Sequence, residues 1–345
     1  MIEYNKLLND IIITQTGIYN PLNLFIFIVL SLLISIAIDI IMGELPTEIH
    51  PVVIIGSIIG FFKNMFIKIT SRISGLLLVI CTVLLVSVTL YILYSFAKFS
   101  PIILFVLFSV LLSSSFSIKM LLKTASDVKD DLNESLDKAR KTVSYLVSRS
   151  TDELTESFIV SATIESLTEN ITDSYVAPIF YYFIFALVIM FHPMNECLYY
   201  LLLIPILYRT FNTLDAMVGY ENDELKDIGF FPAKIDDILN FVPSRISGIY
   251  VVISAYLLKL DWKNSYRIMM RDARNCPSPN SGYTMASAAG ALNIQLIKKD
   301  TYILGDENKN IEINDIGDAV RLSRMTIILF TMSVLLLLII FEVIL

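Results

Sequence analysis

Long apolar runs separated by polar stretches set the pattern of this chain. Residues 22–43, 76–97, 102–122 and 326–345 each reach the roughly 20 residues that carry a helix across a bilayer core, and they predict four spans. Residues 176–191 and 197–208, split only by HPMNE, predict a helical hairpin whose second arm is short. The segment 246–260 falls short of a comfortable span. The first run is too long for a signal-peptide core and no small-residue cleavage site follows it, so it predicts a retained anchor.

Lysine and arginine orient the spans, because short cytoplasmic loops carry the excess of basic residues. Residues 43–75 hold three, 119–175 seven, 209–245 four and 259–325 ten, whereas the connectors 98–100 and 192–196 hold one and none. A full crossing at 246–260 would put the segment with ten on the opposite side from the others. A buried or re-entrant helix there leaves six crossings and every large polar loop in the cytoplasm. The expected fold is all-α: a polytopic integral membrane helical bundle with amphipathic and re-entrant helices and polar cytoplasmic loops, in one domain spanning 1–345.

Composition agrees, with 55% hydrophobic residues against the roughly 45–50% of soluble domains. The net charge of −7 is not gathered in a tail, and no basic face with interleaved aromatics points to nucleic acid. Cys81, Cys197 and Cys276 lack metal-type spacing and read as small core residues.

Three polar segments carry candidate chemistry. In residues 157–178, Glu165, Glu169 and Asp173 fall at i, i+4 and i+8 with Ser166 and Asn170 beside them, and Val160, Ile164, Leu167 and Ile171 line the other face. This predicts an amphipathic helix with one acidic stripe. A solvated face is the plain alternative, but no Lys or Arg occurs from 150 to 208 to interleave with those carboxylates. A divalent cation would relieve their repulsion, as Mg²⁺ sites do with one or two carboxylates plus substrate phosphates.

In residues 208–248, Asn212 and Asp215 share a helix face, as do Asp236 and Asn240, with Arg209, Lys234 and Arg245 nearby. Acids and amides for a metal beside cations for phosphate are the parts of phosphoryl transfer. The alternative for Asp236 and Asp237 is stabilisation of a helix N-terminus after Pro232. The third segment, RDARNCPSPNSG, fixes its backbone with Pro277 and Pro279 and turns at Asn280 and Gly282, predicting a rigid loop that clamps a ligand or only closes off a helix. Upstream, Asp39 sits near the end of the first span, where a carboxylate is costly unless paired, and His50 precedes Pro51. Gly56 and Gly60 form a small-residue pair for helix packing. No P-loop, dinucleotide fingerprint or nucleophile elbow is present. The residues alone lead to a membrane-embedded, metal-dependent enzyme handling a phosphorylated substrate.

The segments GELPTEIHPVVIIG, SRSTDEL, ESLTENITDSYVAPIFYY, YRTFNTLDAMVGY, AKIDDILNFVPSR and RDARNCPSPNSGYTMASAAGAL occur in the order and at roughly the spacing of a known family. From about Asp39 to Ile316 the chain resembles the adenosylcobinamide-phosphate synthases of cobalamin biosynthesis (CbiB/CobD type). It departs from their pattern at Leu45–Pro46, at Cys276, where many carry histidine, and at Thr284–Met285, where many carry proline-glutamate.

The resemblance implies ATP-dependent amide formation between the free propionate of adenosylcobyric acid and an aminoalcohol phosphate such as 1-aminopropan-2-yl phosphate, by way of an acyl phosphate. It implies, with the spacing, that Glu165, Glu169, Asp173, Asp215 and Asp236 hold Mg²⁺ and phosphate. Arg149, Lys234, Arg245 and Arg271 would neutralise phosphate oxygens, and Asn280 would position the amine or the propionate. His50, Asn170, Arg209, Asn212, Asp237, Asn240, Asp272 and Ser278 complete the expected substrate-binding set. The implied partners are ATP, the corrinoid, the aminoalcohol phosphate, the lipid bilayer and other membrane enzymes of late cobalamin assembly, with no nucleic acid. The implied location is the cell membrane, the site facing the cytoplasm.

Other functions fit less of the sequence. A membrane metal-dependent phosphotransferase or prenyltransferase would carry D-x-x-D-G-x-x-A-R or paired D-x-x-x-D boxes, and neither occurs. A transporter would place its ionisable residues at mid-membrane on broken helices, whereas here nearly all fall in loops. A corrinoid-binding scaffold that only tethers other enzymes is separated from an enzyme by turnover of the purified protein.

Overall fold

The computed structural model describes residues 21–69, 71–147, 150–219 and 225–344. Its helices, in chain order, are α1 (Pro21–Met42), α2 (Pro51–Phe66), α3 (Arg72–Ala97), α4 (Pro101–Ser113), α5 (Lys119–Glu134), α6 (Leu136–Val143) and α7 (Glu156–Ile171). After a π-helical turn, Thr172–Val176, come α8 (Ala177–Phe191), α9 (Cys197–Val218), α10 (Phe230–Leu257), α11 (Trp262–Asp272), α12 (Gly282–Leu292) and α13 (Ile313–Ile344). Strands β1 (Leu296–Lys298) and β2 (Tyr302–Leu304) form an antiparallel hairpin between α12 and α13. The fold is all-α and polytopic, as the apolar runs predicted.

Among the described residues, six helical stretches are long and apolar enough to cross a membrane: Pro21–Met42, Arg72–Ala97, Glu156–Phe191, Cys197–Val218, Phe230–Leu257 and Ile313–Ile344. The chain is a multi-pass membrane protein. Two expectations are corrected. The run 102–122 does not cross as one helix, because α4 stops at Ser113 and α5 begins at Lys119. Its break falls on three serines whose hydroxyls return to the chain: Ser113 donates to Val110 O, Ser114 to Leu111 O and Ser115 to Leu112 O, at 2.7–2.8 Å. Such local bonds compete with helix continuation. Conversely, 246–260 is not a separate re-entrant piece, since most of it is the second half of the 28-residue α10. The polar first half hid the continuity.

The described residues divide into two compact units, each drawn from separate parts of the chain. The first comprises residues within 1–117, 178–236 and 333–345. In it α1 packs on α4, and α9 packs on α2, α3 and α4. Leu32, Phe108 and Tyr182 are wholly buried there, and the Tyr182 hydroxyl donates to Ile28 O at 2.8 Å. The connectors with few basic residues lie together, Lys98 pairing with Glu196 at 2.7 Å.

The second unit comprises 118–177 and 237–332. Its centre is α7, which packs against α5, α6, α12 and β1. Every residue from Ile159 to Thr168 is buried. The plain alternative of a solvated face does not hold over these residues: the polar face is covered as well as the apolar one. The register of the acidic stripe changes too. Glu165 and Glu169 keep their i, i+4 relation within α7, but Asp173 lies in the π-helical turn, where Ala177 N bonds to Thr172 O. Pro178, which has no N–H to return to Ser174, favours this i→i+5 pattern, and such a turn rotates the residues after it out of an α-helical stripe.

Small residues let α11 and α12 approach closely. A Cβ added at Gly290 would lie 2.6 Å from Asn264 O, while the Ser265 hydroxyl donates to Ser287 O at 2.8 Å across the same seam. Gly290→Ala gains helix propensity but overpacks a contact made of backbone. Overpacking of this kind costs typically about 1–3 kcal/mol, more than the alanine gains. The expected result is a lower melting temperature in detergent, read by scanning fluorimetry.

Candidate functional site

The second unit gathers chemistry around α7. Glu165 is 5% exposed, and both of its carboxylate oxygens accept hydroxyls: Ser161 Oγ donates to Oε1 at 2.7 Å, one turn earlier, and Tyr302 Oη donates to Oε2 at 2.8 Å from the hairpin. The Ser161 oxygen also accepts from Ile297 N at 2.9 Å, so one hydroxyl links helix, strand and carboxylate. The Glu169 carboxylate, half-buried one turn on, has no hydrogen-bond partner among the described residues.

The pair lines a polar cavity of about 120 Å³ with Ser166, Asn170, Lys298 and Tyr302. The hairpin builds one wall of it by its period of two. Lys298 and Tyr302 are direct cross-strand partners and so share a face, with the Lys298 ammonium 5.8 Å from the Tyr302 ring centre. Ile297, between Leu296 and Lys298, lines instead a neighbouring cavity of about 270 Å³, along with Ser161, Gln295 and Asn310. Burial pushes the Tyr302 hydroxyl above its ordinary value, and the charge of Glu165 beside it adds to the shift. The buried Cys276 thiol is pushed up to about 12 by burial, against a hydrogen bond with Ser281 and with the Glu169 and Glu165 charges adding.

The CPSPNSG loop docks on the part of α10 that belongs to the same unit. Asn280, also 5% exposed, accepts at Oδ1 from Arg245 Nη1 at 3.0 Å and donates from Nδ2 to Asp237 O at 2.8 Å. Ser278 Oγ reaches Asp237 Oδ1 at 3.5 Å, and Asn240 is buried on the same helix. The Arg245 guanidinium lies between the rings of Phe241, at 3.6 Å, and Tyr283, at 4.4 Å. Asn280 and Arg245, expected at a substrate, thus meet each other and hold the loop to the helix. Arg271 is likewise engaged, donating to Asp272 Oδ1 and Oδ2 at 2.6 and 2.7 Å and to Asp306 at 2.7 Å. Asp272 in turn accepts from Gly305 N at 2.8 Å, which ties α11 to the end of the hairpin. Hydrogen bonds from Arg267 and Arg271 hold the Asp306 carboxyl below its ordinary value.

The first unit holds the rest. His50 caps α2, its Nδ1 accepting from Val52 N at 3.2 Å. Burial lowers its pKa, opposed by Glu44 and assisted by Arg209. Arg209 Nη1 donates to Asn212 Oδ1 at 3.0 Å, and Asn212 Nδ2 reaches Asp236 Oδ1 at 3.5 Å. Arg209 Nε is buried and has no hydrogen-bond partner among the described residues. A buried N–H of that kind is an open position for an anion or water. Asp215 lies near the end of α9 and Lys234 is exposed near the start of α10. Arg149 lies outside the described residues.

Of the five carboxylates expected to hold a metal, Glu165, Glu169 and Asp173 fall in the second unit and Asp215 and Asp236 in the first. Among the described residues no group of three or more His, Cys, Asp or Glu side chains could hold a metal ion. Ser161, Lys298 and Tyr302 were not anticipated. The signal for the last two was present: LIKKDTYIL alternates on either side of a short polar turn, as a hairpin does, with Asp300 taking the left-handed conformation at φ 58°.

The model of the CobD/Cbib protein family matches residues 32–326. The probable cobalamin biosynthesis protein CobD of Methanothermobacter thermautotrophicus is 44% identical over 302 residues, covering 88% of this chain and 95% of the relative. The protein of that name from Methanocaldococcus jannaschii is 35% identical, over 85% of this chain and 91% of its own. The cobalamin biosynthesis protein CobD of Clostridium perfringens is 33% identical, over 83% and 90%. No solved structure matches.

Asn280→Asp is nearly isosteric but loses the amide donor and sets a carboxylate oxygen against Asp237 O. Loss of a buried bond of this kind typically costs about 1–3 kcal/mol. Thermal unfolding of the purified variant is expected to show a clear drop, with Ser278→Ala affected less.

Proposed function

The chain belongs to the CobD/CbiB family of cobalamin biosynthesis, and from that premise we propose that it is the amide-forming ligase of the pathway, joining the free propionate of adenosylcobyric acid to an aminoalcohol phosphate at the expense of ATP. The observation that carries the chemistry is the Glu165–Glu169 pair in a polar cavity beside Lys298, within a unit otherwise packed around α7.

A carboxylate is a poor electrophile, so the propionate must be activated before an amine can displace oxygen from it. In the proposed sequence a propionate oxygen attacks the γ-phosphorus of ATP and ADP leaves. The free amine then attacks the acyl carbon, and phosphate departs carrying that oxygen. Both steps bring negative charge together, and both suffer from competing water. Beside a buried helix, fixed charges act more strongly than in bulk solvent.

The donor set fits Mg²⁺ of the kind that takes one or two carboxylates and completes its shell with substrate phosphates. Glu169, with no competing hydrogen bond, and Glu165 would hold it, and the ion would neutralise phosphate charge. Lys298 is placed to meet a phosphate or acyl oxygen as a point charge. Arg209, with its buried and unpartnered Nε, offers an anion position in the first unit. The Lys and Arg of 119–175 and 259–325, the stretches from which most of the second unit is drawn, support a site facing the cytoplasm, in the cell membrane.

The test is mass spectrometry of purified protein incubated with adenosylcobyric acid, ATP, Mg²⁺ and candidate aminoalcohol phosphates. The wild type is expected to form the amide. Glu169→Gln is expected to fold, because it relieves a like-charge pair, and to lose more than about a hundredfold in turnover, since even outer partners of metal ligands cost roughly 10–100-fold. Wild-type turnover by a folded Glu169→Gln protein would overturn the carboxylate assignment.

A further inference from the structure

We infer that Tyr302 is a positioning residue of the reaction centre, its hydroxyl fixing the orientation of Glu165 from the hairpin. The inference rests on the ligase reading, in which Glu165 is one of the two carboxylates that hold Mg²⁺.

A glutamate has three side-chain torsions, and one buried in a helix seam needs its carboxylate plane set from outside if both oxygens are to serve a ligand. On Glu165 that plane is set from two directions. Ser161 holds Oε1 from within α7, and Tyr302 holds Oε2 from β2, 137 residues away in sequence. The tyrosine is itself constrained. Its residue pairs with Lys298 across the hairpin, its oxygen lies 3.7 Å from the Met285 sulfur, and its neighbour two residues on, Leu304, is fully buried. Strand β1 is anchored to the same serine through Ile297 N. Glu165, Ser161, Ile297 and Tyr302 therefore close a loop of contacts in which no member can turn without breaking another bond.

Position in the cavity separates this role from plain core packing. Tyr302, Glu165 and Glu169 all line the cavity, together with Lys298. A phenol that only filled space there would have no need of its oxygen. Here the oxygen donates at 2.8 Å to the carboxylate one turn from Glu169. Outer partners of metal-ligating carboxylates orient the ligand and tune its basicity.

The experiment uses purified full-length protein as wild type, Tyr302→Phe, Glu165→Gln and the double variant. Phenylalanine keeps the ring and removes only the oxygen. Binding of Mn²⁺ in the presence of ATP, read from the loss of the free-ion electron paramagnetic resonance signal, reports on the site independently of turnover. Tyr302→Phe is expected to weaken Mn²⁺ binding and to lower kcat, each by about 10-fold, the lower end of the range for such partners. KM for the corrinoid should stay unchanged. In the Glu165→Gln background the same change is expected to add nothing, because the two act as one unit. Ser161→Ala, which removes the other donor, should repeat the Mn²⁺ effect. The inference is overturned if Tyr302→Phe binds Mn²⁺ and turns over as the wild type does, or if its loss is as large with Glu165 already replaced. A wild-type protein that neither binds Mn²⁺ nor forms product would overturn the ligase reading and this one with it. An active wild type with an unaffected Tyr302→Phe overturns this one alone.

Discussion

A carboxylate shielded from water has to find its hydrogen bonds inside the protein, and Glu165 imposes that requirement on the second unit. Leaving such a group unpaired would cost several kcal/mol or force it to neutralise. The unit meets the demand with one hydroxyl from its own helix and one from a short hairpin. That explains why a chain made almost wholly of helices keeps two three-residue strands. An isolated two-stranded hairpin is at best marginally stable, so its order comes from what it docks on. Leu296 and Leu304 are fully buried, and Ile297 N bonds to Ser161.

Polar residues elsewhere in the unit serve a different purpose. The proline-rich loop, Arg245, Arg271 and Asp272 look like substrate ligands in the sequence because they fall in the segments that resemble the family's motifs. In the structure they satisfy each other. Arg245 lies between two aromatic rings and donates to Phe241 O, Ser244 and Asn280. Arg271 spans two aspartates. These contacts hold α10, α11 and the loop together, whereas Glu169 and Lys298 border a cavity with no such mutual satisfaction.

The sequence was legible where one physical rule dominated. Hydropathy found the apolar helices because a bilayer demands about 20 apolar residues from each span. The i, i+4 spacing put Glu165 and Glu169 on one helix, as they are. Reading failed where two rules competed. Residues 102–122 are apolar enough to cross, but serine hydroxyls bonding backward end the helix at its middle. Residues 230–257 are one helix, yet their first half is polar and Pro243 lies inside. Asp173 sits at i+8 from Glu165 in sequence, but it falls in a π-helical turn beyond the end of α7. Tyr302 was missed for a simpler reason: LIKKDTYIL reveals a hairpin but not what it docks on, and the partner of Tyr302 is 137 residues away.

The central claim is that this acidic site serves a ligase that activates a carboxylate by phosphorylation. The most direct test tracks an oxygen atom. Adenosylcobyric acid carrying ¹⁸O in both oxygens of its free propionate is incubated with wild-type protein, ATP, Mg²⁺ and an aminoalcohol phosphate, and the released phosphate is analysed by mass spectrometry. The account predicts one ¹⁸O in inorganic phosphate for each amide formed, the other remaining in the amide carbonyl. Amide formed with no ¹⁸O in inorganic phosphate, or with the label in AMP, would contradict it.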